Sequence, residues 1–262
     1  MMEGGVLTIL SLDWDFFCPS DPMWDLGHRE AEFFVSAIWR ARGGLISQMN
    51  TSGAEDEFWT WIQNYWKLDT NRLHVSESHL DVHTLMESHS RLILVDAHHD
   101  CWSPTKVKTG WNIDCATWAT SWLRRSPFHR MLWIRPDWQT GGSITSKIAK
   151  DIRKQITIVA MSKVGKLSSV KKWLGRRIDD AHICRSGCWS PPWLDEKFLS
   201  LVKSYPNLSK IINMERSGRS EVWNPMKIRW KEEDRKAVLK GYEDMRRMVD
   251  LLQDPDQKCL TT

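Results

Sequence analysis

LILVDAHHDCW, at residues 92–102, is the stretch of sequence that decides the fold. Its four leading apolar residues predict a buried strand, and acidic and imidazole side chains follow where that strand should end. In open parallel α/β sheets the ligand crevice lies outside the carboxyl ends of the strands. Asp96, His98 and Asp100 stand at alternate positions, so an extended chain would place all three on one face. We therefore predict that they belong to a metal site.

A second stretch of the same kind lies near the amino terminus. VLTILSLDWDFF, at residues 6–17, runs from apolar residues into the carboxylates of Asp13 and Asp15. A lone Asp-x-Asp pair means little, because aspartate commonly caps helices and turns. Here it would lie beside a strand that ends in Asp-x-His-x-Asp, and four carboxylates in one crevice would repel one another unless cations lay between them. Together the two stretches predict a metal centre.

The apolar pattern of the whole chain alternates between strand-like and helix-like segments. Further strands are predicted at 129–134, 155–161 and 177–183, and helices at 28–42, 55–66, 78–88, 114–125, 143–154 and 190–205. This alternation predicts an α/β fold, a three-layer sandwich with a mainly parallel sheet and helices on both faces. A length of 262 residues suits one domain, 1–262, with a C-terminal amphipathic helix at about 231–253. We expect that helix to pack on its own domain, and the sequence leaves the oligomeric state open.

Composition narrows the classes of function. No apolar run approaches the roughly 20 residues that span a bilayer, and the first residues, MMEGG, do not resemble a signal peptide. We therefore expect a cytoplasmic protein and no membrane partner. Six cysteines without a CxxC pair fit reduced thiols.

Charge is unevenly distributed along the chain. Residues 1–100 carry a net charge of −10, from 6 Lys/Arg and 16 Asp/Glu, whereas the rest of the chain carries +14. The basic half is either a solvated face or a surface for an acidic partner, and with no nucleic-acid motif we expect no nucleic acid.

Both carboxylate motifs resemble those of a known family. DAHHD at 96–100 resembles the DAHxD motif of arginases and agmatinases, and SLDWDFFCP at 11–19 resembles their SFDxDxxDP. Cys18 stands where the family has a third aspartate. In arginases the DAHxD strand precedes the DxD strand, whereas here it follows by about eighty residues. The resemblance implies an arginase/deacetylase-like sheet with a rearranged order of motifs.

Three later segments are similar to a divergent arginase-like family that includes the peptide arginases. They are GWNIDCATWATSWL at 110–123, HRMLWIRPDW at 129–138 and ICRSGCWSPPW at 183–193. Peptide arginases convert arginine side chains of ribosomally made precursor peptides to ornithine. The resemblance implies a hydrolase with two Mn²⁺ ions per chain, an arginine-containing precursor peptide as partner, and attack by a metal-bridging hydroxide that releases urea. Oxygen-rich ligation favours manganese, with iron and zinc as alternatives.

The metal ligands that the resemblance implies are Asp13, Asp15, His79, Asp96, His98 and Asp100. In that set Asp96 and Asp13 would bridge the ions. His79 and Asp100 would complete one site, and His98 and Asp15 the other. His79 is preferred among the remaining histidines because it opens a helix one element before the DAHxD strand, where the family keeps its first histidine.

Three residues are candidates for a catalytic role. His28 begins a predicted helix soon after the DxD strand, so it is the rival of His79 as ligand, or an acid–base group. Asp100 could also orient the hydroxide. Asp114 is a candidate for guanidinium binding or proton transfer, and a helix cap is the equal alternative.

Other functions remain open at this point. A small-molecule ureohydrolase would recognise free arginine through a polar loop after DAHxD, whereas here Cys101, Trp102, Ser103 and Pro104 are followed by Lys106 and Lys108. That aromatic and basic rim favours a longer, acidic peptide. A metal-dependent deacetylase would need a tyrosine in a glycine-rich loop, a setting that none of Tyr65, Tyr205 and Tyr242 has. A non-catalytic basic binding module predicts lost ligands, yet the carboxylate set is intact.

Overall fold

The computed structural model describes residues 6–19, 50–103, 105–107, 110–139, 148–187 and 189–214. The predicted helices at 28–42 and 231–253 lie outside these residues. The described strands are β1 (Thr8–Asp13), β2 (Lys67–Leu68), β3 (Arg72–Ser76), β4 (Arg91–Val95), β5 (Thr105–Val107), β6 (Gly110–Asn112), β7 (Arg130–Arg135), β8 (Ile156–Ala160), β9 (Arg177–Ile178), β10 (Asp180–Cys184) and β11 (Lys210–Asn213). The described α-helices are α1 (Phe58–Tyr65), α2 (Trp118–Arg125) and α3 (Asp195–Lys203). Short 3-10 helices span Trp14–Phe17, His79–Ser88, Arg153–Gln155, Met161–Lys163, Lys171–Trp173 and Pro192–Leu194.

Seven of the described strands form one sheet, in the order β11-β3-β10-β1-β4-β7-β8. Every neighbouring pair in it is parallel. The two motif strands, β1 and β4, lie side by side, with Leu12 opposite Val95. All carboxyl ends therefore meet at one edge of the sheet, and the predicted α/β sandwich with a parallel sheet is confirmed.

Side-chain alternation along the strands builds an apolar layer on each face of the sheet. On one face Leu10 and Leu12 of β1 pack in a cluster with Phe58 of α1 and Phe198 of α3. On the other face the cluster contains Ile9 of β1 together with residues of β4, β7 and α2, among them Leu92, Trp133, Trp118 and Trp122. Ser11 and Asp13 alternate with Leu10 and Leu12, so the sheet geometry places them on the second face.

Several tryptophans hold the strand ends in place. Trp14, between the two carboxylates of the DxD motif, is fully buried and packs edge-on against Phe198, with ring centroids 5.6 Å apart. Its side chain thus belongs to the apolar cluster that contains Leu10 and Leu12. Truncating such a residue typically costs about 3–5 kcal/mol, so the aromatic layer beneath the motif anchors it firmly.

The observed elements differ from the predicted ones at several places. In the seven-stranded sheet, β3 and β11 are not predicted, because both strands are short and polar residues flank or interrupt their apolar positions. Residues 79–88, predicted as an α-helix, form a 3-10 helix. The described end of the helix predicted at 143–154 consists of turns and the 3-10 helix Arg153–Gln155. The strand predicted at 177–183 is split into β9 and β10 at Asp179, whose N–H donates to the carbonyl of Thr8. Among the described residues, no helix combines the length and apolar character that crossing a membrane requires.

Candidate metal centre

The loops that follow three strands bring the acidic and imidazole side chains together. Asp13 ends β1, and Asp15 lies in the 3-10 helix directly after it. Asp96, His98 and Asp100 follow β4, and His79 opens the 3-10 helix that follows β3. Because these strands are parallel and belong to one sheet, their carboxyl ends share a crevice. The six residues predicted as metal ligands are thus placed in one centre.

The first group of potential ligands is arranged around His79. Its Nδ1 lies 3.0 Å from Oδ2 of Asp96, 3.1 Å from Oδ2 of Asp100 and 3.3 Å from Oδ2 of Asp13. All four side chains are buried. Three carboxylate oxygens around one ring nitrogen make a site for a cation, which is either a proton on Nδ1 or a metal ion in its place.

Asp15, Asp96 and His98 form a second group. Nδ1 of His98 lies 2.8 Å from Oδ2 of Asp15 and 3.7 Å from Oδ1 of Asp96. Within this group, and within the group of Asp13, His79 and Asp96, the potential ligand atoms lie within 4.8 Å of one another. Asp96 belongs to both groups and turns one oxygen toward each histidine. A carboxylate in that position is suited to bridge two metal ions.

The electrostatics of the centre favour a bound cation. Oδ1 of Asp15 has no hydrogen-bond partner among the described residues, and Oδ2 of Asp15 and Oδ2 of Asp96 face the ring nitrogens of His98 and His79. Burial, followed by the charge of Asp15, raises the pKa of Asp13, and burial with the charge of Asp100 raises the pKa of Asp96 well above its usual value. Burial would lower the pKa of His79, but its contacts with three carboxylates raise it well above the usual range. Buried carboxylates with unused oxygens fit a divalent metal ion.

Neighbouring groups hold the carboxylates in position. Oδ2 of Asp13 accepts a hydrogen bond from the Ser186 hydroxyl at 2.9 Å. Oδ2 of Asp100 accepts one from the indole of Trp118 at 2.6 Å, and Oδ1 of Asp96 accepts one from the N–H of His98 at 2.6 Å. Asp100 and Ser186 both have positive φ angles, 49° and 54°, which turn the chain sharply after β4 and β10. Their strained backbones lie at the centre, where such strain is common.

A set of hydrogen-bonded side chains that was not predicted from the sequence lies behind His79. Nε2 of His79 lies 2.8 Å from the hydroxyl of Ser11, which lies 2.9 Å from Nδ1 of His182. Nε2 of His182 lies 2.8 Å from the hydroxyl of Ser76. Ser11 and His182 are polar residues at buried positions of apolar strands, and that is the signal by which they could have been found.

A tryptophan also borders the outer ligand. The indole of Trp189, in the loop after β10, lies 5.2 Å from the ring of His98, measured between centroids. The side chain of His98 is 34% exposed, so this part of the centre is open to solvent. A partly exposed indole beside a ligand can contact a bound substrate.

Asp114, one of the predicted catalytic residues, belongs to neither ligand group. His28 lies outside the described residues. Asp114 lies before α2, where its Oδ1 accepts hydrogen bonds from the hydroxyl of Thr117 at 2.8 Å and from the N–H of Ala116 at 3.1 Å. These bonds fix the turn that precedes α2, whose N-cap is Thr117, so Asp114 is a turn residue and not the helix cap that the sequence offered as its alternative role.

No protein-family model, curated protein or solved structure matches this chain. A proposal for its function therefore depends on the residues of this centre and on the motifs that supply them.

Proposed function

We propose that this protein is a manganese-dependent hydrolase that removes the guanidinium group from arginine side chains in a peptide, giving ornithine and urea. The observation that carries the proposal is the pair of three-residue ligand groups that share Asp96. A shared carboxylate between two groups supports two ions, which is the metal content expected of an arginase-like enzyme. The resemblance of the DAHHD and DWD motifs to those of arginases supports the reaction.

The composition of the ligand set suits manganese. Four carboxylates and two imidazoles surround the centre, and an oxygen-rich set of this kind favours Mn²⁺ over the softer metals. When bound, two Mn²⁺ ions supply Lewis acidity and lower the pKa of water between them. Asp96 would contribute one oxygen to each group, and Trp118 fixes the Asp100 oxygen that faces His79.

The charge of the centre also suits the substrate. Four carboxylates balance the charge of two Mn²⁺ ions, so the metal-loaded centre would not repel a guanidinium cation. Its carbon is a poor electrophile because the charge is delocalised, and a two-metal centre meets this difficulty better than a lone general base. The indole of Trp189 beside His98 offers a surface on which a guanidinium can stack.

A peptide substrate is supported by the segment that follows the ligands of β4. Trp102 is 43% exposed, and its N–H donates to the carbonyl of Ala116 at 3.0 Å. Between these two residues the chain forms the antiparallel hairpin of β5 and β6. An exposed indole and a hairpin stand where free-arginine enzymes have a polar loop that binds the amino-acid head group.

A deacetylase is less well supported than an arginine hydrolase. The hydroxyl of Tyr205 donates to the carbonyl of Thr70, before β3, at the end of the sheet away from the ligand groups. Tyr65 lies in α1 and packs against Trp61 and Trp66. Tyr242 lies outside the described residues. Neither described tyrosine is placed to assist at the centre.

Mass spectrometry tests the proposed reaction. A peptide that contains one arginine and is blocked at both ends is incubated with the Mn²⁺-loaded protein. The residue should lose the mass of CH2N2, and urea should appear in equal amount. Asp15→Asn should abolish turnover because it removes one ligand with little change of shape. Asp56→Asn, at an exposed position in the same chain, should retain it.

A comparison of substrates distinguishes the proposed peptide activity from the alternative functions. Free L-arginine should be hydrolysed far more slowly than the blocked peptide. Equal kcat/KM for the two would exclude the peptide assignment and leave a small-molecule ureohydrolase. Turnover of an acetyl-lysine peptide with none of the arginine peptide would favour a deacetylase, and peptide binding without any turnover would favour a binding module.

A further inference from the structure

His79 is held from behind by a buried series of hydrogen bonds, which we call the relay. It runs from Nε2 of His79 through the side chains of Ser11, His182 and Ser76 to the carbonyl of Ser78. Its three intermediate side chains are between 0% and 2% exposed. Since Ser78 directly precedes His79 in the chain, the relay closes on itself and ties β1, β10 and β3 to the start of the 3-10 helix.

The last bond of the relay fixes the direction of all the others. A carbonyl oxygen only accepts hydrogen bonds, so the hydroxyl of Ser76 donates to Ser78 at 2.8 Å. Having one proton, that hydroxyl must accept the bond that it shares with Nε2 of His182. The proton of a neutral His182 is therefore on Nε2, and its Nδ1 is an acceptor.

The protonation of His182 in turn fixes the direction of the hydrogen bonds that Ser11 makes with His182 and His79. Nδ1 of His182 accepts the proton of the Ser11 hydroxyl, and so the Ser11 oxygen accepts a hydrogen bond from Nε2 of His79. His182 is neutral because it is fully buried, each of its ring nitrogens bonds to a hydroxyl group, and none of the described carboxylates forms an ion pair with it. Nε2 of His79 thus carries a proton, and the lone pair of a neutral His79 lies on Nδ1, the atom that faces the carboxylates.

We propose that Ser11, His182 and Ser76 are positioning residues that keep the ring proton of His79 on Nε2 and leave Nδ1 as the metal-binding atom. The inference rests on the metal centre of the proposed function and does not depend on which reaction occurs there. Hydrogen bonds to the distal nitrogen of a ligating histidine fix its tautomer and orientation, and their loss commonly weakens metal binding by about 10–100-fold.

Mn²⁺ titration of relay variants tests this role. Ser11→Ala removes the direct partner of His79 and should weaken Mn²⁺ binding by about 10–100-fold. Ser76→Ala acts two side chains away along the relay and should weaken it toward the lower end of about 10–100-fold. Ser76→Thr keeps the hydroxyl and should restore binding. Tyr205→Phe is the control, since it removes a hydroxyl of another buried residue, one that donates to the carbonyl of Thr70 at the opposite end of the sheet, and it should leave the affinity unchanged.

Thermal unfolding in EDTA is measured on each variant to show that it is folded. Nitrogen NMR of the histidine rings in the Zn²⁺-loaded wild type reports directly which ring nitrogen carries the proton. His79 and His182 should both carry their proton on Nε2. A proton on Nδ1 of His182, or Ser76→Ala with wild-type affinity, would overturn the relay and leave the metal centre intact. Wild-type protein that binds no Mn²⁺ would instead overturn the metal centre, and the relay's role with it.

Discussion

Replacing Asp96 with asparagine should change the stability of the protein in opposite directions with and without metal. Asp96 is 0% exposed and turns its oxygens toward both His79 and His98. Without metal its charge is poorly accommodated, because burial and the charge of Asp100 raise its pKa well above the usual value. A carboxyl group whose pKa is raised by folding lowers the free energy of unfolding as the pH rises above its unfolded value. At neutral pH, therefore, the charge of Asp96 destabilises the metal-free fold.

The size of the effect follows from the linkage of pKa to stability. Each unit by which folding raises the pKa of a carboxyl group costs about 1.4 kcal/mol at pH well above both values. In EDTA, Asp96→Asn should thus raise the free energy of unfolding, with a melting temperature about 2–4 °C higher for each 1 kcal/mol gained. The amide oxygen can still accept the hydrogen bond from the N–H of His98. With Mn²⁺ at a hundred times its Kd, each site adds about 2.7 kcal/mol to the wild type, and the variant should lose most of this gain.

Thermal unfolding of both proteins in EDTA and in Mn²⁺ measures the two effects. Asp56→Asn, which changes an exposed carboxylate in the same way, should behave like the wild type in both conditions. Should Asp96→Asn be less stable than the wild type in EDTA, the carboxylate is satisfied without metal, and the charge argument for the centre is wrong. If it keeps the full Mn²⁺ gain, Asp96 is not a bridging ligand.

Two further predictions concern histidines. His79→Ala should lose metal at one site and all turnover, whereas His28→Ala should keep both metals; the reverse pattern in elemental analysis would make His28 the ligand. At the opposite end of the sheet, the hydrogen bond with His89 lowers the pKa of Asp180, so the stability it contributes is fully present above pH 3.8 and is lost as the pH falls through the folded value. The difference in urea unfolding between wild type and Asp180→Asn should therefore shrink below pH 3.8, and a difference independent of pH would contradict this.

The position of the carboxylates at the carboxyl ends of two strands was predictable because it follows from local patterns of sequence. Apolar runs that end in spaced carboxylates predict β1 and β4, and the structure places Asp13, Asp96 and His98 at one edge of the sheet. The choice of His79 depended on its place before the central strand, since nothing in the local sequence ESH distinguishes it from other histidines.

The supporting residues could not be predicted in the same way. Ser186 bonds to Asp13 across 173 positions of sequence, and His182 lies 171 positions from Ser11. Such contacts depend on β10 lying beside β1, and a single sequence does not reveal the pairing of strands so far apart. The hydroxyl groups became functional candidates only when the sheet brought them behind the ligands.

The order of β1 and β4 along the chain does not decide whether the centre forms, because parallel strands place their carboxyl ends at one edge of the sheet in either order. The centre does require a fixed register between β1 and β4. Leu12 pairs with Val95, so that Asp13 and Asp96 follow at the same level of the sheet. A slip of one residue in β1 would exchange its two faces, moving Leu12 toward the face of Ser11 and turning Asp13 away from His79. Both apolar layers oppose that slip, since Ile9 on one side and Leu10 on the other are fully buried. The alternating apolar pattern that builds the core is thus also what positions the carboxylates to bind metal.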